Sequence, residues 1–409
     1  MASFIARASM GLCRRSSSLL LARSYSQPLT VLSEEEQMMK DTVARFANER
    51  VKPLVQEMDR ESEMSKDIIR GMFEQGFMSI EIGTQHGGTG STFFSSILAI
   101  EELAKVDPSV SVVCDVQNTL VNAYFNDYAG QELKEKYLPR LSTDLLGSFC
   151  LSESSSGSDA FAMKCSAKDN GDHWVLNGEK LWITNAEHAG VFIVHANCDF
   201  SKKHRGISAF VVDKGTPGLS LGKKEDKLGI RASSTCPVIL ENVCIPKSQL
   251  LGEYGKGYKY AIEVLNTGRI GIGAQMLGLA EGALNATIPY LMERKQFGTE
   301  IGSFQAMRHL KAQLATEIEA CRLLVYNAAR MRDNGVPFVK EAAMAKYYSS
   351  EVACKVAGRC VEMTGGVGFV KDYPLEKFYR DSKIGQIYEG TSFIQLNTIS
   401  DCIDKEYSS

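Results

Sequence analysis

The chain has 409 residues, 44% hydrophobic and 23% charged, with 46 Lys and Arg against 49 Asp and Glu for a formal net charge of −3. This globular composition suits two or three packed units and offers no basic stripe that would follow a nucleic-acid backbone. No window holds the roughly 18 uninterrupted apolar residues of a spanning helix, so neither a nucleic-acid partner nor a transmembrane segment is expected.

The first thirty residues, "MASFIARASMGLCRRSSSLLLARSYSQPLT", carry Arg7, Arg14, Arg15 and Arg23, are rich in serine and contain no acid before Glu34. An Arg- and Ser-rich, acid-free leader reads as a mitochondrial transit peptide. "RSYS" places the cut after Tyr25, so residues 1–25 are set aside from the fold. From Ser33 the text turns helical. Ser33 and Glu36 have the spacing of a capping box, and Val43, Phe46, Ala47, Val51 and Leu54 recur at helical spacing. "DIIRGMFEQGF", "SSILAIEELAKV" and "QELKEKYLPRL" continue the pattern, with "QHGGTG" and "DPS" as breaks, so residues 30–147 are predicted to form an α-helical domain.

Near Gly147 the period changes. "HWVLNGEKLWIT" places Asn177-Gly178 between two β-rich runs, a strong hairpin signal. "GVFIVHANC", "GISAFVVDK", "LSLGKKEDKLGI" and "CPVILENVCIP" follow as short strands, which predicts an antiparallel, barrel-like β domain over residues 148–257. Long helices return over residues 258–409. Leu310, Leu314, Ile318, Cys321, Val325 and Ala328 form one stripe, Asn334-Gly335 and Pro337 stop that helix, and a second runs from about Val339 to Met363. The fold class is α+β and multidomain: helical domain, β domain, helical bundle.

The eleven cysteines lack ligand-like spacing, and the six histidines form no HxxxH or HExxH pattern, so reduced thiols and no metal are expected. No GxGxxG opens a helix after a strand, and neither GxxxxGK[ST] nor GxSxG occurs. Four stretches remain. "FCLSESSSGSDA" has hydroxyls and backbone donors suited to a phosphate or a polar ring edge, or is a surface loop. "LWIT" offers an indole beside a hydroxyl, as core or as a platform. "MTGGVGF" ends a helix with three glycines, fit for close backbone approach or a simple cap. "QIYEGTSFIQ" holds a lone acid, Glu389, that is either an exposed turn residue or a buried base of raised pKa.

"LSESSSGSDA", "GEKLWITNA", "KLGIRASSTCPVILENV", "GRIGIGAQMLGLAEGAL", "RKQFG" with "FQAM", "EMTGGVGF" and "RDSKIGQIYEGTS" resemble, in order and spacing, the acyl-CoA dehydrogenase family over nearly all of residues 30–405. "IEELAKVD", "RASSTCP", "GYKYAIEVLN" and "MAKYY" are similar to members acting on short branched-chain substrates. The resemblance implies an FAD enzyme that converts an acyl-CoA, such as 2-methylbutyryl-CoA or isobutyryl-CoA, into its trans-2-enoyl thioester. Electrons would pass to electron-transferring flavoprotein, in isoleucine and fatty-acid breakdown in the mitochondrial matrix. It makes Glu389 the base that takes the α-proton while the β-hydrogen leaves as hydride to the flavin. The N–H of Glu389 and a ribityl hydroxyl of FAD would bind the thioester oxygen beside Gly390. Relatives that carry the base elsewhere would place it in "NTGRIGIGAQ", which here holds no acid.

Carried over residue by residue, Phe149, Cys150, Leu151, Ser152 and Ser158 line the flavin and its pyrophosphate, and Trp182, Ile183 and Thr184 cover its ring. Thr391 and Ser392 also contact FAD, while Arg294, Gln305, Glu362, Met363, Thr364, Gly365 and Gly366 reach the FAD of a neighbouring subunit, implying a homotetramer. Ser158, Tyr258, Asn266, Thr267, Gly268, Arg269 and Gly390 hold the substrate, with His204 a further candidate. The chain departs from the family at Ser154, Ser155 and Ser156, where relatives have small residues including glycine. If that position needs positive φ, Ser155 adopts it at a cost of roughly 1 kcal/mol. An acyl-CoA dehydrogenase of different chain length, an oxidase of the same fold and a non-catalytic flavin-binding scaffold are the alternatives. The retained Glu389, Thr184 and Arg294 weigh against the scaffold.

Overall fold

The computed structural model describes residues 28–408, and the leader lies outside the described residues. Seven helices come first: α1 (Glu34–Phe46), α2 (Val55–Glu61), α3 (Lys66–Glu74), α4 (Phe93–Ala104), α5 (Pro108–Asp115), α6 (Ala123–Tyr128) and α7 (Gln131–Thr143). The capping box forms as expected: Ser33 N donates to Glu36 Oε2 at 2.9 Å, and Glu36 N donates to Ser33 Oγ at 3.2 Å. The turns Ala47–Val51 and Val116–Asn122 widen to π-helix, and the second joins α5 to α6.

The middle of the chain forms β1 (Gly147–Cys150), β2 (Ser166–Asp169), β3 (His173–Thr184), β4 (Val191–Asn197), β5 (Ile207–Asp213), β6 (Leu219–Leu221), β7 (Thr235–Pro246) and β8 (Leu250–Leu251). The sheet runs β6-β7-β3-β2-β4-β5-β8, with β1 beside β4. It is mostly antiparallel, as the patterning predicts, but β1 pairs with β4 in parallel and β2 meets it in parallel at Ser166 and Asn197. Of "LSLGKKEDKLGI" only Leu219–Leu221 is strand.

The Asn177-Gly178 hairpin does not form. One strand, β3, runs straight through it and pairs with β7 along its whole length, with a register shift between Leu176 and Gly178. Gly178 sits at φ 146°, and a methyl there would lie 2.7 Å from Cys165 Cα. The glycine serves a bulge and a close approach, while Asn177 Oδ1 takes the N–H of Asn242 at 2.8 Å.

The C-terminal part holds α8 (Gly257–Glu293), a small hairpin of β9 (Lys295–Gln296) and β10 (Thr299–Glu300), α9 (Gln305–Asp333), α10 (Val339–Thr364), α11 (Leu375–Ser382) and α12 (Ser392–Ser408). α9 stops where "NG" predicts, with Gly335 at φ 67°. α8 packs against α4, α9 and α10 and is buried almost all round, as its Gly-rich, apolar text requires. Among the described residues no helix is long and apolar enough to cross a membrane.

Three parts of the chain meet at one buried cation. Lys377 Nζ on α11 lies 2.9 Å from Asp107 Oδ1 and 2.6 Å from Asp381 Oδ2. Asp107 caps α5, and Asp381 Oδ1 accepts the N–H of Ile230 at 2.5 Å.

Candidate active site

Glu389 sits in the turn between α11 and α12, at φ 54°, a left-handed conformation that a non-glycine residue rarely takes. Such strain persists only where surrounding bonds over-determine it, and it concentrates at functional sites. Gln395 Nε2 donates to the carbonyls of Glu389 (3.1 Å) and Gly390 (2.9 Å), and Lys346 Nζ donates to the latter at 2.6 Å. Gly390 follows at φ 88°. With both carbonyls held, the N–H of Glu389 has no hydrogen-bond partner among the described residues.

The residue as a whole is half-buried, but its carboxylate points inward, where Oε2 is buried without a partner. Gly268 on α8 makes the room: a methyl there would lie 2.7 Å from Oε2 and 2.9 Å from Leu120 Cδ2. Desolvation pushes the Glu389 pKa from 4.5 to about 7, against the opposing pull of Lys346 and Arg269. Arg269 is itself buried and bonded to Asn266 Oδ1 at 2.9 Å, and burial lowers its pKa despite the charge of Glu389. One helical turn past Gly268, Gly271 leaves space for the fully buried Asp115, whose carboxyl rises well above its usual range through burial and then through Glu389. Tyr388 hydrogen-bonds Gln275 beside this cluster. A buried carboxylate poised near neutrality, next to a free N–H donor, can abstract a proton and hold the resulting oxyanion.

The other expected residues fall into three groups. Asn266, Thr267, Gly268 and Arg269 are buried on α8 at the carboxylate. About 15 Å back along that helix, the Tyr258 ring lies tilted against Phe161 (centroids 3.6 Å apart) and His204 (4.9 Å), in the cluster that holds Phe149 and Leu151. Ser158 and His204 are exposed there, while Cys150 is buried and the Ser152 carbonyl accepts from Leu181 N at 2.9 Å. The serine loop is not strained. None of Ser154, Ser155 and Ser156 has positive φ, and Ser156 closes a two-way backbone bridge with Glu153, so the anticipated cost does not arise.

Beside it, a register shift between Lys180 and Ile183 puts Trp182 at φ 62° and turns it out, 61% exposed, while Ile183 stays in the core. Thr184 is half-buried and its hydroxyl takes no partner among the described residues. An exposed indole with an adjacent free hydroxyl fits a flat heteroaromatic ring with a hydrogen-bonding edge. Thr391 and Ser392 open α12, and Ser392 Oγ donates to Glu351 Oε1 at 2.8 Å. The third group is distant. Arg294, Gln305, Glu362, Gly365 and Gly366 are exposed, with Met363 and Thr364 buried beside them. Arg294 stands roughly 40 Å along α8 from Gly268, so the structure does not bring this group to Glu389.

Sequence reasoning missed Lys346, Gln395 and Asp115. Gln395 lies within the "QIYEGTSFIQ" stretch and only its side-chain aim was unreadable; Lys346 and Asp115 come from other helices.

The chain is an FAD-dependent oxidoreductase. It belongs to the acyl-CoA dehydrogenase family, whose N-terminal, middle and C-terminal domains match residues 33–144, 148–243 and 255–403. It is 58% identical over 95% of its length to a probable short/branched chain specific acyl-CoA dehydrogenase of Dictyostelium discoideum, covering 94% of that protein. It is 56% identical to the mitochondrial short/branched chain specific acyl-CoA dehydrogenase of Bos taurus, over 93% of this chain and 88% of that one. Among solved structures, butyryl-CoA dehydrogenase from Megasphaera elsdenii superposes with a TM-score of 0.90 at 38% identity, over 91% of this chain and 99% of that one.

Proposed function

We propose that this chain dehydrogenates short branched-chain acyl-CoAs, 2-methylbutyryl-CoA and isobutyryl-CoA foremost, at the α and β carbons, with Glu389 as the base. The observation that carries the assignment is the buried, partnerless Oε2 of Glu389 beside a free backbone N–H. The carboxylate takes the α-proton, and the N–H of Glu389 donates to the thioester oxygen as charge develops there. One such donor is typically worth about 3 kcal/mol. FAD, when bound, supplies the acceptor for the β-hydride. Phe149–Ser158 with Trp182, Ile183, Thr184, Thr391 and Ser392 would hold it. Tyr258, His204 and Ser158 would hold the CoA end, with Asn266–Arg269 and Gly390 near the thioester.

The names of the relatives support the branched-chain preference and a mitochondrial site of action, and the Arg-rich leader supports import to the matrix. Electron-transferring flavoprotein is the acceptor this reading assigns. A homotetramer would bring Arg294, Gln305 and Glu362–Gly366 to a neighbour's flavin. Exposed Phe297, Phe369, Phe393 and Tyr407 at the bundle's surface support such an assembly.

The experiment is an anaerobic titration of the flavin-loaded protein with a panel of acyl-CoAs, following visible absorbance. Bleaching by 2-methylbutyryl-CoA and isobutyryl-CoA is expected. Bleaching only by long straight chains overturns the substrate, and bleaching by none favours the scaffold reading. Gly268→Ala gives a sharper check on geometry. Both colliding atoms are side-chain ends, so the variant is expected to fold normally but displace the carboxylate, costing about a hundredfold in kcat. An unchanged kcat removes Glu389 from the chemistry.

A further inference from the structure

We propose that Lys346 is a positioning residue for Glu389: its buried ammonium fixes the Glu389–Gly390 turn through the Gly390 carbonyl and supplies the positive charge that lets the base ionise where it is buried. The inference rests on the assignment of Glu389 as base.

Lys346 lies on α10 with its side chain fully buried, and Nζ reaches the Gly390 carbonyl at 2.6 Å. The same helix grips the stretch before and after the base. Ser350 Oγ donates to the Gly385 carbonyl at 2.8 Å, and Glu351 accepts from Gln386 Nε2 (2.7 Å) and Ser392 Oγ (2.8 Å). With Gln395 also on the Gly390 carbonyl, the turn keeps its other anchors if Lys346 is lost. Hydrogen bonding alone therefore does not explain a buried lysine here, since taking an ammonium out of water is costly unless it is paired.

The groups facing Glu389 are Lys346 from α10, Arg269 from α8, Asp115 from α5 and Tyr388 in its own turn. Asp115, whose own carboxyl is raised well above its usual range by burial and by Glu389, brings no opposing charge. Arg269 and Lys346 favour ionisation of Glu389, and Arg269 already serves Asn266. Lys346 in turn faces Glu389, Arg269 and Glu351, and its pKa is lowered to about 8 by burial and by Arg269, against the carboxylates. Between about pH 7 and 8 both members of the pair are charged.

The test uses Lys346→Met and Lys346→Gln on the flavin-loaded protein, with two readouts. Infrared difference spectra against Glu389→Gln follow the protonation of the Glu389 carboxyl without substrate, and kcat/KM is measured across pH. Losing the cation should raise the carboxyl midpoint by about one unit or more in both variants. It should lower kcat/KM below pH 7 by about tenfold. Parent and variants should converge only above about pH 9, where Lys346 of the parent is neutral and Glu389 is ionised in all three. Unshifted midpoints overturn the proposal, as does a loss uniform in pH or a Gln variant that restores the parent profile. The Gln variant carries the same readouts where the Met variant loses its fold. If instead Glu389→Gln retains parental turnover, the base assignment fails, and the infrared midpoint still decides the coupling of Lys346 to Glu389.

Discussion

Glu389→Gln is expected to lower kcat/KM by about a thousandfold or more while leaving flavin binding intact, because it removes the base without changing shape. In the parent, kcat/KM should rise with pH through a limb near pH 7, as the raised carboxyl loses its proton. In the variant that limb should disappear. The same substitution should stabilise the fold near neutrality. A carboxyl raised from 4.5 to about 7 keeps its proton in the folded state while the unfolded chain releases it. Its contribution to stability therefore falls as pH rises across that window. The thermal midpoints of parent and variant should diverge between about pH 5 and 7, with the variant higher. A variant that is both active and no more stable contradicts a buried, reactive carboxyl.

Lys377→Met should cost about 3–5 kcal/mol of stability, since it strands two fully buried acids, Asp107 and Asp381. The pair-bonded lysine is held well above its usual pKa by those carboxylates. Because Asp107 caps α5 and Asp381 also binds Ile230 N, the loss spreads to the helical and β parts together. Urea unfolding measures it, and adding Asp381→Leu should recover part of the loss by removing one stranded charge. An unaltered midpoint in Lys377→Met would mean that both acids are neutral and the junction is no ion cluster.

Local signals were the most readable. The capping box at Ser33 and Glu36, the stop at Asn334-Gly335 and the stripe from Leu314 to Ala328 depend on residues a few positions apart, and the structure follows them. The Asn177-Gly178 signal failed because a glycine required for close approach to Cys165 looks the same in text as one required by a turn. The outward indole of Trp182 was invisible for a related reason, since a bulge depends on register with a strand some fifty residues away. At the site, the motif alone reached Glu389 and Gly390. What sets their chemistry comes from elsewhere: space at Gly268, charge at Lys346 and Arg269, and a second buried acid at Asp115. These are contacts across 43 to 274 positions of chain, and periodicity does not encode them.

The most direct test of the central claim isolates proton abstraction from hydride loss. The flavin-loaded protein is incubated in D2O with an acyl-CoA analogue bearing sulfur at the β position, which has an acidic α-hydrogen and no β-hydride to give. Deuterium uptake at the α carbon is followed by mass spectrometry. Rapid α-exchange in the parent and almost none in Glu389→Gln is the result expected of a base at Glu389. Equal exchange in both proteins would place the base elsewhere.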